Sequence, residues 1–298
     1  MKVARSLPVV LLGITGMLAC REPRAAVPEG ALARYQLAGT PTWRVTLPAP
    51  LHEISGLAVT GDGRVFAHGD EDATVHQIDP RTGEVRKRFS LAPAGDEPDL
   101  GKKPAKDRVA GDFEDLAIVG DRFFLVASNG VLLEFAEGQD GAKVPYTAHP
   151  TPLGEICEVE GLTHDEPGNA LLLLCKTMRS KAERDRVTVY AWPLDAGTLV
   201  AAPRLILPWT SLEPATGARA FNGSALEFTP GGRSLAVLAG PQRLFAEVTN
   251  EGLVVGGGAL PRETHPQPES IAFLPDGTLL IASEGGKGDA TLSGYAPR

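Results

Sequence analysis

The sequence is short of aromatic residues, which make up 6% of its 298 positions, and it has three cysteines. It has no excess of positive charge: 29 Lys and Arg face 37 Asp and Glu. A nucleic-acid binder normally presents a basic face, so that class is excluded. No apolar run is long enough to span a bilayer; the longest, Leu7 to Leu18, falls well short of the roughly 20 residues needed. Ser55 and Ser224 do not sit in a G-x-S-x-G turn, so no nucleophile elbow is read. Neither Gly256-Gly257-Gly258 nor Gly285-Gly286-Lys287-Gly288 has the spacing of a phosphate loop. His52, His76, His149, His164 and His265 show no metal-ligand spacing. What is plentiful is Gly (34) and Pro (25), a turn-rich profile suited to many short strands. With 43% hydrophobic residues the chain can bury a sizeable core.

Lys2 and Arg5 precede the short apolar run, which describes a secretory signal. Its end, Met17-Leu18-Ala19-Cys20, resembles a bacterial lipobox, with Met17 where the pattern prefers Leu. The resemblance implies cleavage before Cys20 and lipidation of that residue. The alternative is an ordinary cleaved signal that ends near a cysteine. Residues 1–19 are thus expected to be a lipoprotein signal and 20–41, which show no sustained period, a lipidated tether. Localisation follows: the bacterial cell envelope, with the domain exported and held to the membrane through Cys20. Cys157 and Cys175 then form an even pair in an exported protein. They flank two runs joined by the turn Asp165-Glu166-Pro167-Gly168-Asn169, so antiparallel pairing brings them near one rung. A disulfide is the expectation, two buried thiols the alternative.

One phrase recurs five times: an apolar run that begins near a Ser or Glu, a Gly/Asp turn, and a second apolar run. Glu53-Ile54-Ser55-Gly56-Leu57, Phe113-Glu114-Asp115-Leu116, Val159-Glu160-Gly161-Leu162, Asn222-Gly223-Ser224-Ala225-Leu226 and Pro268-Glu269-Ser270-Ile271 open the five units. With Ser55, Glu114, Glu160, Ser224 and Glu269 set as equivalent, the spacings are 59, 46, 64 and 45. Each unit has room for four strands, and four strands at a period near 50 residues is the signature of a propeller blade. The longer spacings hold polar insertions at 96–108 and 177–186. The fifth unit lacks an outer strand, and residues 42–47 have the alternation to supply it. The expected fold is all-β: one domain over 42–298, a five-bladed β-propeller of four-stranded antiparallel blades closed by an N-terminal strand. Six blades is the alternative count.

Glu53 to Ala58 with His68-Gly69-Asp70-Glu71-Asp72, then Asp112 to Ala117, and the openings of the third and fifth units resemble the bacterial SdiA-regulated family. These are exported β-propellers related to esterase-like phytase domains. The likeness covers about 42–298. The fourth unit departs from it with Asn222-Gly223-Ser224, and the third with Cys175-Lys176-Thr177. The resemblance implies fold and location rather than an activity.

In a propeller the first strand of each blade lines the central channel, and function gathers at one mouth. Glu53, Glu114, Glu160 and Glu269 are therefore expected round one axis, with Asp70 and Asp72 nearby. Converging carboxylates repel unless a cation, a proton or a basic ligand relieves them. These six form the candidate metal set, with Ca²⁺ the expected ion because all-oxygen ligation suits a hard cation. Ser55, His68, Asn222 and Ser224 are the candidate ligand-binding residues. A structural role for the carboxylates, accepting backbone N–H groups between blades, stands beside this. Two functions follow. The favoured one is a non-enzymatic, monomeric envelope module that binds a small molecule or an envelope protein. The other is a metal-assisted hydrolase of phosphate or carboxylic esters. No catalytic residue is assigned.

Overall fold

The computed structural model describes residues 30–298. Cys20, the signal and the first part of the expected tether lie outside the described residues. Among the described residues no helix is long and apolar enough to cross a membrane.

Short strands joined by Gly-bearing turns build five sheets. β1 (Trp43–Thr46) comes first in the chain and belongs to the last sheet. The first blade is β2 (Ile54–Val59), β3 (Val65–Gly69), β4 (Thr74–Ile78) and β5 (Val85–Leu91). The second is β6 (Phe113–Val119), β7 (Arg122–Ala127) and β8 (Leu132–Ala136), followed by an extended run over 143–149. That run divides. β9 (Lys143–Val144) joins β5 of the first blade in parallel, and β10 (Tyr146–His149) pairs with β8. Pro145 separates the two; it has no N–H to donate, and it sits where the chain passes between sheets.

The third blade is β11 (Cys157–Asp165), β12 (Ala170–Met178), β13 (Arg186–Pro193) and β14 (Leu205–Pro208). A helix not anticipated from the sequence, α1 (Trp209–Thr216), leads to the fourth blade. Pro214 inside it reads as a breaker, yet the helix runs two residues further to Thr216 and is capped by Gly217, whose φ of 73° suits glycine. The fourth blade is β15 (Ala225–Phe228), β16 (Ser234–Ala239), β17 (Leu244–Thr249) and β18 (Val254–Ala259). The fifth is β19 (Pro268–Phe273), β20 (Leu279–Ser283) and β21 (Thr291–Tyr295), completed by β1, which runs antiparallel to β21 with Trp43 opposite Gly294. The blade count is five, and the closure is the expected one.

The innermost strands β2, β6, β11, β15 and β19 contact one another in sequence around the ring. The second strands read as continuous apolar runs, such as Phe123-Phe124-Leu125-Val126-Ala127 and Leu171 to Leu174, because both of their faces are buried between blades. Phe66, Phe89, Phe113, Phe123 and Phe135 share one core between blades one and two and place five of the ten Phe at that one interface.

The boundary at residue 42 needs correction. Ala31–Arg34 form a 3-10 turn, and Leu32, Tyr35 and Leu37 are buried against Ala236, Leu238, Ile271, Leu279 and Ile281 of blades four and five. The carboxylate of Glu247, 1% exposed, accepts the N–H groups of Ala31 and Leu32, both at 2.7 Å, and the Ser234 hydroxyl. The Tyr35 hydroxyl donates to the Gly277 carbonyl at 2.6 Å. From Ala31 onward this segment is part of the domain, not a tether. Three apolar residues spaced three and two apart carry no strand or helix period, which is why the sequence does not disclose them.

Cys157 and Cys175 are joined by a disulfide across a separation of 18 residues. Replacing both by alanine is expected to lower the unfolding free energy by about 3 kcal/mol, the chain-entropy value for a loop of this size. Urea unfolding checks this, and an unchanged midpoint would mean that the native β11–β12 pairing alone confines the loop.

Candidate functional site

A β-bulge sets two residues of one strand against one of its neighbour and turns the extra side chain aside. Four of the five innermost strands carry one at the same level. Ile54 pairs with Gly69 and Gly56 with His68, so Ser55 is left unmatched. Glu114 is skipped between the pairs Phe113–Ala127 and Asp115–Val126, and Glu269 between Pro268–Ser283 and Ser270–Ala282. In the third blade both strands are irregular. Glu160 is skipped on β11, and Lys176 is skipped on β12 on the other side of the Val159–Cys175 pair. In the fourth blade Ser224 stands just before β15; its N–H donates to Leu238.

These five positions, one per blade, line a single cavity of about 490 Å³ at one mouth of the channel. Glu53, Asp70, Asp112, Glu158, Gln267 and Glu284 line it too, so eight carboxyl groups share it with one lysine, Lys176. Lys176 Nζ lies 2.7 Å from Glu160 Oε1, whose side chain is 6% exposed. Burial and the neighbouring Glu160 and Asp112 push the Glu114 carboxyl up to about 10. Burial raises Glu160 to about 7, its pairing with Lys176 holding it below Glu114. Burial, with Glu160 nearby, also raises Glu269 to about 7. Burial alone would lower Lys176, but the attraction of Glu160 outweighs it, and the ammonium is retained. The mouth therefore holds protons at neutral pH, with Glu114 in the acid form. The physical cause is like charge gathered where water is scarce.

The structure treats the candidate residues unequally. Glu53, Asp70, Glu114, Glu160 and Glu269 line the mouth together. Asp72 does not. It ion-pairs with Arg108 at 3.1 Å, and its backbone bridges to Ala110, so the inserted loop draws it away. The same loop sends Lys102 to Asp70 at 3.1 Å and to Asp112 at 3.8 Å. Ser55 lines the cavity. Ser224 lines it as well, but its Oγ donates to the Pro268 carbonyl and accepts from the Gly240 N–H, so it ties blade four to blade five. His68 is not a mouth residue. It is fully buried in β3 against Gly56, with Nδ1 bonded to the Gly69 carbonyl, and burial lowers it to about 4. Asn222 is engaged with Gln242 and the backbone of Lys176, a brace behind the mouth. Among the described residues no group of three or more His, Cys, Asp or Glu is arranged as a ready metal site.

Lys176 is the functional residue that sequence reasoning did not single out. It begins a basic stretch up to Arg186 that reads as a solvated loop or as an anion site near the mouth; in the structure β12 continues through it and the bulge turns it inward. Asp115 is the structural carboxylate of the interblade kind. Its two oxygens accept the N–H groups of Leu116 and, from the next blade, Leu162. At the opposite mouth a second cavity of about 490 Å³ is lined by Val59, Ile118, His164, Phe228 and the buried Glu227. The Glu227 carboxylate accepts the Thr163 hydroxyl and its neighbour's N–H; burial raises it to about 7.

Fold and site together define a five-bladed β-propeller with a carboxyl-lined mouth. No protein family and no curated protein matches the chain. Among solved structures it is similar to the glutaminyl cyclase of Myxococcus xanthus, with 14% identity, 86% of this chain and 94% of that one covered, and a TM-score of 0.54. It is also similar to the PQQ-bound aldose sugar dehydrogenase of Streptomyces coelicolor, with 12% identity, 86% and 99% covered, and a TM-score of 0.53. Both neighbours are enzymes by name, and at such identities the likeness is one of fold.

Proposed function

We propose that this propeller is a binding module of the bacterial cell envelope, anchored by a lipid on Cys20, whose acidic mouth takes a positively charged ligand. The observation that carries the reading is the equivalence of the bulged positions, which gathers Glu114, Glu160 and Glu269 into one cavity lined by many more carboxyl groups than cations. Eight carboxyl groups in one cavity call for a cation. Oxygen donors alone suit Ca²⁺, and an amine-bearing small molecule or protein segment meets the same need. Kinship with the SdiA-regulated propellers belongs to this reading, supported by the acidic openings of units one, two, three and five. The envelope address is supported by the lipobox-like segment and the cysteine pair.

Cation entry must displace the Glu114 proton, so binding is expected to release protons and to tighten as pH rises. Calorimetry with Ca²⁺ and, separately, with spermidine at pH 6 and pH 8 checks this. At least one is expected to bind more tightly at pH 8, and Glu114→Gln is expected to weaken it about tenfold. Absence of binding by either cation at both pH values would sink the proposal.

A second reading has one observation in its favour. Glu114 is held protonated while the ion pair with Lys176 holds Glu160 lower, near 7, and two carboxyls pushed apart in this way are how an acid and a base share a site. A hydrolase of phosphate or carboxylic esters would use that pair with a bound cation. A substrate screen with added Ca²⁺ tests it.

A further inference from the structure

We propose that the domain sits on the membrane with its acidic mouth turned away from the bilayer. This rests on the lipid anchor at Cys20. The chain enters the described structure at Gly30, and its place is fixed. A Cβ on Gly30 would come within 2.4 Å of Glu247 Oε2 and 3.3 Å of the Val255 side chain. The surrounding groove is made of Thr229, Pro230, Arg233, Asn250 and Glu251. Pro230 and Arg233 belong to the turn between β15 and β16, and Asn250 and Glu251 to the turn between β17 and β18. The mouth residues Ser224 and Pro241 lie at the other ends of these same strands. Gly30 therefore leaves the domain on the face opposite the mouth, and Glu247, Tyr35 and the apolar side chains of Leu32 and Leu37 pin it there.

Nine residues lie between Cys20 and Gly30. A chain of that length reaches at most about 36 Å. A six-residue blade strand already spans about 20 Å before its loops are added. A chain of that length carries the lipid round to the mouth face only when stretched nearly to its limit. The turn face carrying Gly30, Arg233 and Glu251 is the one held against the headgroups, and the mouth opens to the aqueous side.

The test uses the full lipidated chain in phosphatidylethanolamine–phosphatidylglycerol vesicles that contain a lipid with a spin-labelled headgroup. With Cys157 and Cys175 in a disulfide, an introduced cysteine carries a fluorophore specifically. Glu251→Cys reports the turn face. Lys287→Cys, exposed in the loop between β20 and β21, reports the mouth face. The Glu251 label is expected to be quenched several-fold more than the Lys287 label. Inserting about twenty Gly/Ser residues between Arg24 and Ala25 leaves the folded domain untouched and is expected to remove the difference. Equal quenching without the insertion, or stronger quenching at Lys287, overturns the orientation. The Cys20→Ser protein separates the two ideas: if it binds vesicles as well as the parent, the anchor reading fails, whatever the labels report.

Discussion

Removing residues 21–38 is expected to lower the unfolding free energy by about 5 kcal/mol, while removing 21–29 costs nothing measurable. The longer deletion strips Leu32, Tyr35 and Leu37 from between blades four and five. Each fully buried side chain of that size contributes roughly 1.5–3 kcal/mol. It also leaves the Glu247 carboxylate without the two N–H groups it accepts. Against a total stability of about 5–15 kcal/mol such a loss is large enough to leave the domain partly unfolded at ambient temperature. Urea titration of the two truncations decides the matter. Equal midpoints would show that the 31–37 segment packs without contributing, and that the domain begins at β1 after all.

Replacing Lys176 by methionine is expected to cost about 3–5 kcal/mol at pH 8, since it strands Glu160 as a buried charge without its partner. The cost should shrink at pH 5, where Glu160 takes up a proton. The neighbouring carboxyl gives the opposite pattern. Burial raises Glu114 to about 10, so from about pH 4.5 upward the folded protein retains a proton that the unfolded chain releases. Stability is then greatest below the unfolded value and falls as pH rises toward the folded one. Buried His68 and His265, both lowered to about 4, act in the opposite sense up to about pH 6.5, the unfolded value for histidine. Comparing Glu114→Gln with the parent cancels them. The variant should lose at least about 1 kcal/mol less than the parent between pH 5 and pH 8, one raised pKa unit being worth 1.36 kcal/mol. Parallel stability profiles would mean that Glu114 ionises normally, and a Lys176→Met cost independent of pH would mean that the lysine acts by packing alone.

The five blades are legible in the sequence because the innermost strands must all meet the same channel and repeat one phrase to do so. The closing strand is legible because residues 42–47 carry the alternation of an outer strand without belonging to any of the five units. The mouth is legible only in part. Glu114, Glu160 and Glu269 declare themselves by their shared place in the repeat, but the bulges that aim them leave no mark on composition. Lys176 hides in a basic stretch, and Asp112 and Glu158 precede the recurring phrase. His68 and Asp72 stand beside conspicuous charges and look chemical. Which way a side chain faces depends on strand register and on a loop that folds back from 30 residues away, and neither is written locally. Glu247, which holds the first turn of the chain, sits 216 residues from Ala31.

The antiparallel union of β1 with β21 joins Trp43 to Gly294, near opposite ends of the polypeptide. Synthesis runs from the N-terminus, so β1 is made long before its partner exists. Until Thr291–Tyr295 arrives, β1 is an unpaired edge, able to pair with a neighbouring molecule instead. Blades one to four can assemble from local hairpins as they appear, but the ring can lock only once β21 has been made. Closure is thus the late, slow step set by non-local pairing. A protein stalled a few residues short of its end would be a nearly complete propeller that never shuts.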